Sequence, residues 1–308
     1  MPELPPLRLV EVRMMAVQHE ANVPQAARQQ TQQEYEQVVS TGGIGYLEAG
    51  AASAVPVVFL HGSGGAARMF RAQLDHFSVN YRAVAWDMPG YGGSTPLPLV
   101  TVDALAAALG GFIDELGLDR PVLVGHSLGG MLVQRLLAKA PHKARAVVLA
   151  QTSAAFGSRD PAWQAEFLSE RLGPLDAGHS MAALAEAMVA DMIGPGADPA
   201  GVALARDCLA HTPDSTYRDS VLALRGFDCR DALGQIVVPA LVLAGTLDTL
   251  APASGMERMA ARIPGAQYVA LEGAGHLAHL EQPQAFNAAL DQFLSGVRDV
   301  SGRPRAEP

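Results

Sequence analysis

The stretch "VLVGHSLGG", residues 122–130, places a serine between two glycines at the end of an apolar run. The run is typical of a buried strand, and a helical spacing of apolar residues begins directly after it, so the connecting turn must be very tight. Gly125 and Gly129 leave room for neighbouring backbone beside a residue in a strained conformation. Ser127 is therefore either a nucleophile at a strand-to-helix elbow or an N-cap of the helix. We favour the nucleophile.

Length and composition indicate one large α/β domain that carries an insertion. The chain has 308 residues, of which 49% are hydrophobic and 17% charged, enough to bury a large core. Its net charge of -9 would repel phosphate groups, so we expect neither nucleic acid nor an anionic membrane as a partner.

Cysteine content and the N-terminal sequence suggest where the protein resides. Cys208 and Cys229 cannot build a disulfide framework and match no metal-ligand spacing, so we expect free thiols and no metal site. Prolines and charged residues interrupt the region in which a secretory signal would have its apolar core, and no apolar run approaches bilayer length. We therefore expect a cytoplasmic protein without a membrane span.

Apolar runs alternate with helical patterns along most of the chain. After an opening hairpin over "EYEQVVS" and "GIGYLEAG", six continuous apolar runs follow, typical of strands in a sheet covered on both faces. They are "VPVVFLHG", "YRAVAWD", "PVLVGHS", "ARAVVLAQT", "PALVLAGTLD" and "AQYVALEG". The alternation predicts an α/β fold with a mostly parallel eight-stranded sheet, helices on both faces and right-handed crossovers. We assign this core to residues 34–152 and 231–298.

Three segments lie outside this pattern. Residues 153–230 contain several helical stretches and no good strand, so we interpret them as a helical lid inserted over the carboxyl end of the sheet. The glutamine-rich residues 1–33 are an N-terminal extension, either a contact that makes a homodimer or the result of a misplaced start codon. The polar residues 299–308 are expected to form a flexible tail.

A serine hydroxyl is a weak nucleophile at neutral pH, so Ser127 needs a base and an acid that orients the base. Asp248 follows the apolar run "PALVLAG", and His276 follows the next run and a Gly-Ala-Gly bend. A serine, an aspartate and a histidine in this chain order, each past the end of a different strand, form the arrangement expected of a catalytic triad built on such an elbow.

Other residues fit these roles less well. Asp87 lies in a turn-rich loop, where aspartate usually anchors backbone amides. For Asp248, the alternative to the role of triad acid is to cap a turn. His279, three positions beyond the predicted base, is expected to pack or to contact solvent. His126, beside the nucleophile, is expected to be a buried, hydrogen-bonded imidazole.

The stretch "FLHGSGG", residues 59–65, supplies donors for an oxyanion hole. Its glycines let backbone amides turn toward the pocket, so we predict the amides of Ser63 and Leu128 as the two donors. His61 and Gly62 are expected to shape the loop. The alternative is an ordinary glycine-rich strand exit.

The motifs "HGSGG", "WDMPGYGGS", "GHSLGG", "LAGTLDTLAP" and "GAGHLAHLEQP" together resemble the α/β-hydrolase superfamily over residues 35–297. The stretch "YRDSVLALRGFDCRDALGQIVVPALVLAG" is similar to the lid-to-core junction of 3-oxoadipate enol-lactonases and their relatives. The resemblance implies a cofactor-free serine hydrolase that cleaves a small ester or lactone through an acyl-enzyme. A serine nucleophile disfavours the aspartate-dependent dehalogenases and epoxide hydrolases of this fold.

Three other functions stay open. The same triad could serve a carbon-carbon bond hydrolase of ring-cleavage products or a perhydrolase, or the fold could act as a small-molecule sensor with little turnover.

The lid holds apolar residues that either wall a pocket or pack in the lid core: Phe156, Trp163, Phe167, Met181, Met188, Met192, Tyr217 and Phe227. Its arginines could include a clamp for a substrate carboxylate or be paired with neighbours: Arg159, Arg171, Arg206, Arg218, Arg225 and Arg230.

Overall fold

Eight strands form one sheet in the part of the chain that the structure, a computed structural model, describes. These described residues are 35–157 and 161–297, so the predicted extension at 1–33 and the predicted tail at 299–308 lie outside them. The strands are β1 (Val38–Val39), β2 (Gly45–Ala49), β3 (Pro56–Leu60), β4 (Arg82–Trp86), β5 (Val122–His126), β6 (Ala146–Ala150), β7 (Ala240–Gly245) and β8 (Gln267–Leu271). Every strand run expected from the sequence forms a strand.

Ten α-helices accompany these strands within the described residues. They are α1 (Arg71–Phe77), α2 (Val102–Glu115), α3 (Leu128–Lys139), α4 (Pro161–Asp176), α5 (Met181–Ala190), α6 (Pro199–Ala210), α7 (Asp214–Ala223), α8 (Ala253–Ala260), α9 (Ala278–Glu281) and α10 (Pro283–Gly296). Helix α2 begins at an N-cap, Thr101, whose hydroxyl accepts a hydrogen bond from the amide of Ala104.

The strand order is β1-β2-β4-β3-β5-β6-β7-β8. Strands β1 and β2 pair antiparallel, as does β2 with β4, while all pairs from β4 to β8 are parallel. In the register, Leu60 lies beside Gly125, and His126 lies beside Ala150. The carboxyl ends of the central strands therefore meet at one edge of the sheet, where the loops that carry the predicted site residues begin.

Alternate residues of the central strands pack into two different layers. Val147 and Leu149 of β6 face a cluster that contains residues of α2, α3 and α8, whereas Val148 faces a cluster that contains residues of α1 and α10. Apolar residues are thus required at every position, which explains the continuous runs. Edge strand β8 differs, because only Leu271 among its five residues is fully buried.

Helices α4 to α7 form an insertion between β6 and β7. The insertion begins and ends at a narrow neck, where Ala155 and Asp228 form an antiparallel bridge. The Phe156 amide donates to the Phe227 carbonyl at 2.9 Å, and this bond closes the neck. Among the described helices, none has the length and apolar character needed to cross a lipid bilayer.

Candidate active site

Ser127 occupies the junction of β5 and α3 in a strained conformation. Its φ of 52° and ψ of -119° lie in a region that residues other than glycine rarely adopt. Hydrogen bonds hold this conformation, since the Ser127 amide donates to the Ala150 carbonyl at 3.0 Å and the Thr152 hydroxyl donates to the Ser127 carbonyl at 2.7 Å. Within the described residues the Ser127 hydroxyl makes no capping bond to α3. Ser127 therefore occupies the N-cap position of α3, but its side chain does not cap the helix.

The glycines around Ser127 allow backbone to pack against backbone. A Cβ atom at position 129 would lie 2.3 Å from the Leu60 carbonyl oxygen, and one at position 125 would lie 2.6 Å from the Gly129 carbonyl oxygen. Both distances are too short for any side chain. Because glycine alone fits, the start of α3 can press against the end of β3 and turn the Ser127 hydroxyl out of the sheet.

Ser127, His276 and Asp248 form a hydrogen-bonded chain. His276 Nε2 lies 3.0 Å from Ser127 Oγ, and His276 Nδ1 lies 2.8 Å from Asp248 Oδ2. Because a carboxylate only accepts, Nδ1 carries the proton and Nε2 is free to accept the serine hydroxyl. The structure thus brings together three residues that the sequence places in three separate loops.

Asp248 also caps its own turn. Its Oδ1 accepts hydrogen bonds from the amides of Leu250 at 2.8 Å and Ala251 at 2.9 Å, while Oδ2 faces His276. Burial favours the neutral carboxyl, but the charge and hydrogen bond of His276 and the two amides outweigh burial and lower the pKa of Asp248. One oxygen of Asp248 thus caps the turn, and the other contacts the predicted base.

The loop after β3 is held by two buried polar side chains. His61 Nδ1 donates to the Gly62 carbonyl at 2.8 Å, and His61 Nε2 accepts from the Met88 amide at 2.9 Å. Asp87 Oδ1 accepts from the Ala67 amide at 2.7 Å. His61 shapes the loop and Asp87 anchors a backbone amide, as the sequence predicts.

Ser63 and Leu128, whose amides are the predicted oxyanion donors, follow Gly62 and Ser127 directly in the chain. All four residues line one cavity, and a Cβ atom at Gly62 would lie 2.7 Å from the Ser127 Cβ. The Leu128 amide opens α3, so it has no acceptor inside the helix. Among the hydrogen bonds of the described residues, none uses the Ser63 or the Leu128 amide as a donor. Both amides are free to donate to a bound molecule.

Two further histidines lie behind His276. His126 Nε2 donates to the His276 carbonyl at 2.7 Å, which agrees with the predicted buried, hydrogen-bonded imidazole. Burial lowers the pKa of His126 to about 3, with a further contribution from His276. His279 packs on the Phe70 ring, and its centroid lies 4.8 Å from that of the ring. His279 is thus a packing residue without solvent contact, since none of its surface is exposed.

Glu281 is a polar residue of this region that the sequence analysis missed. The residue is only 3% exposed. Its Oε2 accepts hydrogen bonds from the amides of Gly194 at 2.7 Å and Gly275 at 2.8 Å. Oε1 accepts from the Leu277 amide at 2.8 Å. Burial raises the pKa of Glu281, and the three amides counter part of that rise. The carboxylate therefore fixes the loop on both sides of His276.

The same loop is joined to the helical insertion. The His276 amide donates to the Met192 carbonyl at 2.7 Å, and Gly194, one of the Glu281 partners, lies two residues farther along the link between α5 and α6. The sequence places Glu281 directly after "AHL" of the predicted histidine loop, a position that carries no local signal for this role. Two of the three amides, those of Gly275 and Leu277, belong to this loop, and the third, that of Gly194, lies 87 residues away in the chain.

A cavity of about 570 Å³ lies against Ser127 and His276. Six of the eight apolar residues considered in the sequence analysis line it: Phe156, Trp163, Phe167, Met188, Met192 and Tyr217. Met181 and Phe227 pack in the hydrophobic core. The pocket-wall interpretation is therefore correct for most of the set.

The arginines of the insertion likewise include a cavity-lining residue and residues that pair with carboxylates. Arg171 lines the cavity. Three others form ion pairs: Arg206 with Glu186, Arg218 with Asp176 and Arg230 with Asp228. Arg225 is exposed, and Arg159 lies outside the described residues.

Known proteins of similar sequence and structure are hydrolases for the most part. The chain is 27% identical to 3-oxoadipate enol-lactonase 2 of Acinetobacter baylyi over 82% of this chain and 92% of that protein. It is 30% identical to polyketide synthase ThaQ of Burkholderia thailandensis over 77% of this chain, which spans only 12% of the synthase. The enol-lactonase of Burkholderia xenovorans LB400 superimposes with a TM-score of 0.75 at 28% identity, over 84% of this chain and all of that one.

The enol-lactonase similarity agrees with the resemblance seen in the sequence motifs. A model of the alpha/beta hydrolase family matches residues 57–289, a range that begins in β3 and ends in α10. It includes the strained serine, the hydrogen-bonded histidine and aspartate, and the whole insertion. The chain belongs to the alpha/beta hydrolase family.

Proposed function

We propose that the protein is a serine hydrolase that cleaves a small carboxylic ester or lactone through an acyl-enzyme. The proposal rests on one observation, the chain of hydrogen bonds from Ser127 through His276 to Asp248 at the wall of a cavity. Similarity to two enol-lactonases supports the choice of an ester or lactone carbonyl.

In this mechanism His276 Nε2 takes the proton from Ser127 Oγ as that oxygen attacks the substrate carbonyl. Asp248, hydrogen-bonded to Nδ1, holds the imidazole in the required tautomer and stabilises the imidazolium. The amides of Ser63 and Leu128 donate to the developing oxyanion. The tetrahedral intermediate then breaks its bond to the leaving-group oxygen, which takes the proton from His276, and the acyl group stays on Ser127.

The second half of the reaction releases the acid. His276 takes a proton from a water molecule, which attacks the acyl-Ser127 carbonyl, and the resulting tetrahedral intermediate expels the serine oxygen. Ser127 recovers its proton from His276. The strained backbone keeps the hydroxyl in place for both halves, since the surrounding hydrogen bonds hold it without any rearrangement.

The test compares Ser127→Ala with the wild type on p-nitrophenyl acetate, p-nitrophenyl butyrate and a panel of small lactones. We expect kcat to fall by at least about a thousandfold, because the nucleophile is lost while the fold is kept. Ser215→Ala is the matched control, since Ser215 is exposed on α7 and does not line the cavity. Its rate should match the wild type.

The acyl-enzyme is tested separately by mass spectrometry of acid-quenched protein. An acyl adduct on the peptide that contains Ser127 is expected for the wild type and not for Ser127→Ala. Equal esterase rates in the wild type and Ser127→Ala would refute the proposal.

A further inference from the structure

The cavity beside Ser127 carries charge of one sign. Its described lining residues include two arginines, Arg171 on α4 and Arg258 on α8, and no aspartate or glutamate. The chain as a whole has 31 acidic and 22 basic residues, so composition alone would favour the opposite sign. The cavity is thus positive inside a negatively charged protein, which favours an anionic ligand.

Arg171 has no carboxylate partner within the described residues, although acidic residues outnumber basic ones in the chain. Other arginines of the insertion do have partners: Arg206 pairs with Glu186 at 2.8 Å, Arg218 with Asp176 at 2.7 Å, and Arg230 with Asp228. Arg225 forms no ion pair among the described residues either, but it is exposed and does not line the cavity. Among the described arginines of the insertion, Arg171 is therefore the one that lines the cavity and has no carboxylate partner.

Neighbouring aromatic residues hold Arg171 in place. The guanidinium carbon lies 5.6 Å from the centre of the Phe167 ring, a geometry that favours a cation over an aromatic face. Burial raises the pKa of the Tyr217 hydroxyl, and the Arg171 guanidinium lies close enough to oppose that rise. Arg171, Phe167 and Tyr217 all line the cavity. The planar Arg171 guanidinium, with its five N–H donors, thus lies beside the Tyr217 hydroxyl, which can also donate a hydrogen bond.

Arg258 has a different position. It is exposed and lies on α8, next to the lining segment of residues 249–255. A solvated arginine contributes to the attraction of an anion but holds it weakly. Arg171 is therefore the residue that would fix the orientation of a charged substrate.

We propose that Arg171, together with the Tyr217 hydroxyl, binds a carboxylate on the part of the substrate away from the scissile carbonyl. The inference rests on the function proposed above and narrows it to an ester or lactone of a dicarboxylic or other acid-bearing compound. A carboxylate fits because its two oxygens match the paired donors of a guanidinium. The methionines and aromatic residues of the wall contact the hydrocarbon part that joins the two groups.

The test uses two esters with the same leaving group and acyl chains of similar length. Mono-p-nitrophenyl glutarate carries a carboxylate at the end of its acyl chain, and p-nitrophenyl hexanoate does not. We expect the wild type to prefer the glutarate ester. Arg171→Gln should lower kcat/KM for the glutarate ester by about 10- to 100-fold, the effect of one charge-assisted interaction, and change the hexanoate rate by about threefold at most.

Arg225→Gln is the matched control, because Arg225 belongs to the same insertion but does not line the cavity. It should leave both rates unchanged. An equal loss on the two esters in Arg171→Gln would assign Arg171 a structural role and overturn the inference. So would an unchanged preference between the esters.

A binding measurement separates this inference from the proposed function. Calorimetry with monoethyl glutarate compares Ser127→Ala with the double variant Ser127→Ala/Arg171→Gln, so that no turnover is required. We expect the second substitution to weaken binding about 10- to 100-fold, and equal affinities would overturn the subsite. If Ser127→Ala hydrolyses the esters as fast as the wild type, the proposed nucleophile fails while the binding result still decides the carboxylate site.

Discussion

The sheet core and the helical insertion differ in what their side chains face. Side chains of β3 and β6 are buried on both faces of the sheet, with no residue of either strand exposed. Helices α4 to α7 instead mix buried with exposed positions, and several of their apolar residues end at the cavity. The core thus positions Ser127, His276 and Asp248, and the insertion supplies much of the cavity wall in front of Ser127 and His276.

The physical reason is the kind of contact in each region. Around Ser127, backbone packs on backbone, and covalent geometry leaves little freedom to adjust. Around the cavity, one side of each lining residue has no protein neighbour, so a changed side chain alters the volume and chemistry of the pocket at little cost to folding. Substitutions should therefore act on stability in the core and on substrate preference in the insertion.

The largest effect is expected for Gly129→Ala in the core. The new Cβ would lie 2.3 Å from the Leu60 carbonyl oxygen, so β3 and α3 must move apart. We expect a loss of about 3 kcal/mol or more in the free energy of unfolding, at the upper end of overpacking costs. Urea unfolding followed by circular dichroism measures this loss.

Gly111→Ala provides the matched control for Gly129→Ala. Gly111 lies on the exposed side of α2, and a Cβ atom there would meet no atom within 4 Å. Alanine should stabilise this helix by up to about 1 kcal/mol. If both variants unfold at the same urea concentration as the wild type, close backbone packing does not distinguish the elbow from an ordinary helix.

An intermediate effect is expected for Glu281→Gln, where the core and the insertion meet. The amide group of glutamine would place N–H against one of the three backbone donors, and the loop that carries His276 would lose its alignment. We expect kcat to fall by about 10- to 100-fold, since misplacing a reacting group by about 1 Å can cost that much. KM should change by about threefold at most, because Glu281 does not line the cavity.

Steady-state kinetics with p-nitrophenyl butyrate separates the two constants for this variant. Glu257→Gln, an exposed substitution on α8, is the control and should match the wild type. A change in KM without a change in kcat would show that Glu281 supports the substrate pocket and not the position of the histidine.

The smallest effect at neutral pH is expected for His279→Leu, behind the site. Burial keeps the pKa values of His61, His126 and His279 below those of free histidine. As the pH falls below about 6.5, these histidines become protonated in the unfolded chain but stay neutral in the native state. The free energy of unfolding therefore falls by up to about 1.4 kcal/mol per pH unit for each histidine. Leucine at position 279 removes one of these contributions.

His279 suits this test because neither of its ring nitrogens has a hydrogen-bond partner among the described residues. At pH 7 we expect the free energy of unfolding of His279→Leu to lie within about 1 kcal/mol of the wild-type value. At pH 5 we expect it to exceed the wild-type value by about 2 kcal/mol. Urea unfolding at both pH values gives the difference, with the exposed His142→Gln as the control. The same pH dependence in His279→Leu and the wild type would contradict a buried neutral imidazole.

Much of the core could be predicted from local features of the sequence. The apolar runs predicted β3 to β8 because strands buried on both faces need an apolar residue at each position. The partial exposure of β8 was not predictable in this way, since it depends on the position of the strand at the sheet edge. The elbow was predictable because close backbone approach restricts two positions near Ser127 to glycine.

The site was only partly predictable. Ser127, Asp248 and His276 could be chosen because each follows a strand, and parallel strands end at the same edge of a sheet. Glu281 was missed because its partners include Gly194, which is 87 residues away in the chain. No local pattern marks a carboxylate whose role depends on so distant an amide.

By itself, the sequence determined the order of strands and helices, the tight turn at Ser127 and the chain order of Ser127, Asp248 and His276. Each of these is encoded by spacing between near neighbours, which a linear chain carries directly. Tertiary structure alone decided that Arg171 faces the cavity without a carboxylate partner among the described residues, while Arg206 and Arg218 are paired. The physical reason is that a charge is neutralised by whichever group folding brings beside it, and separation along the chain does not set that distance.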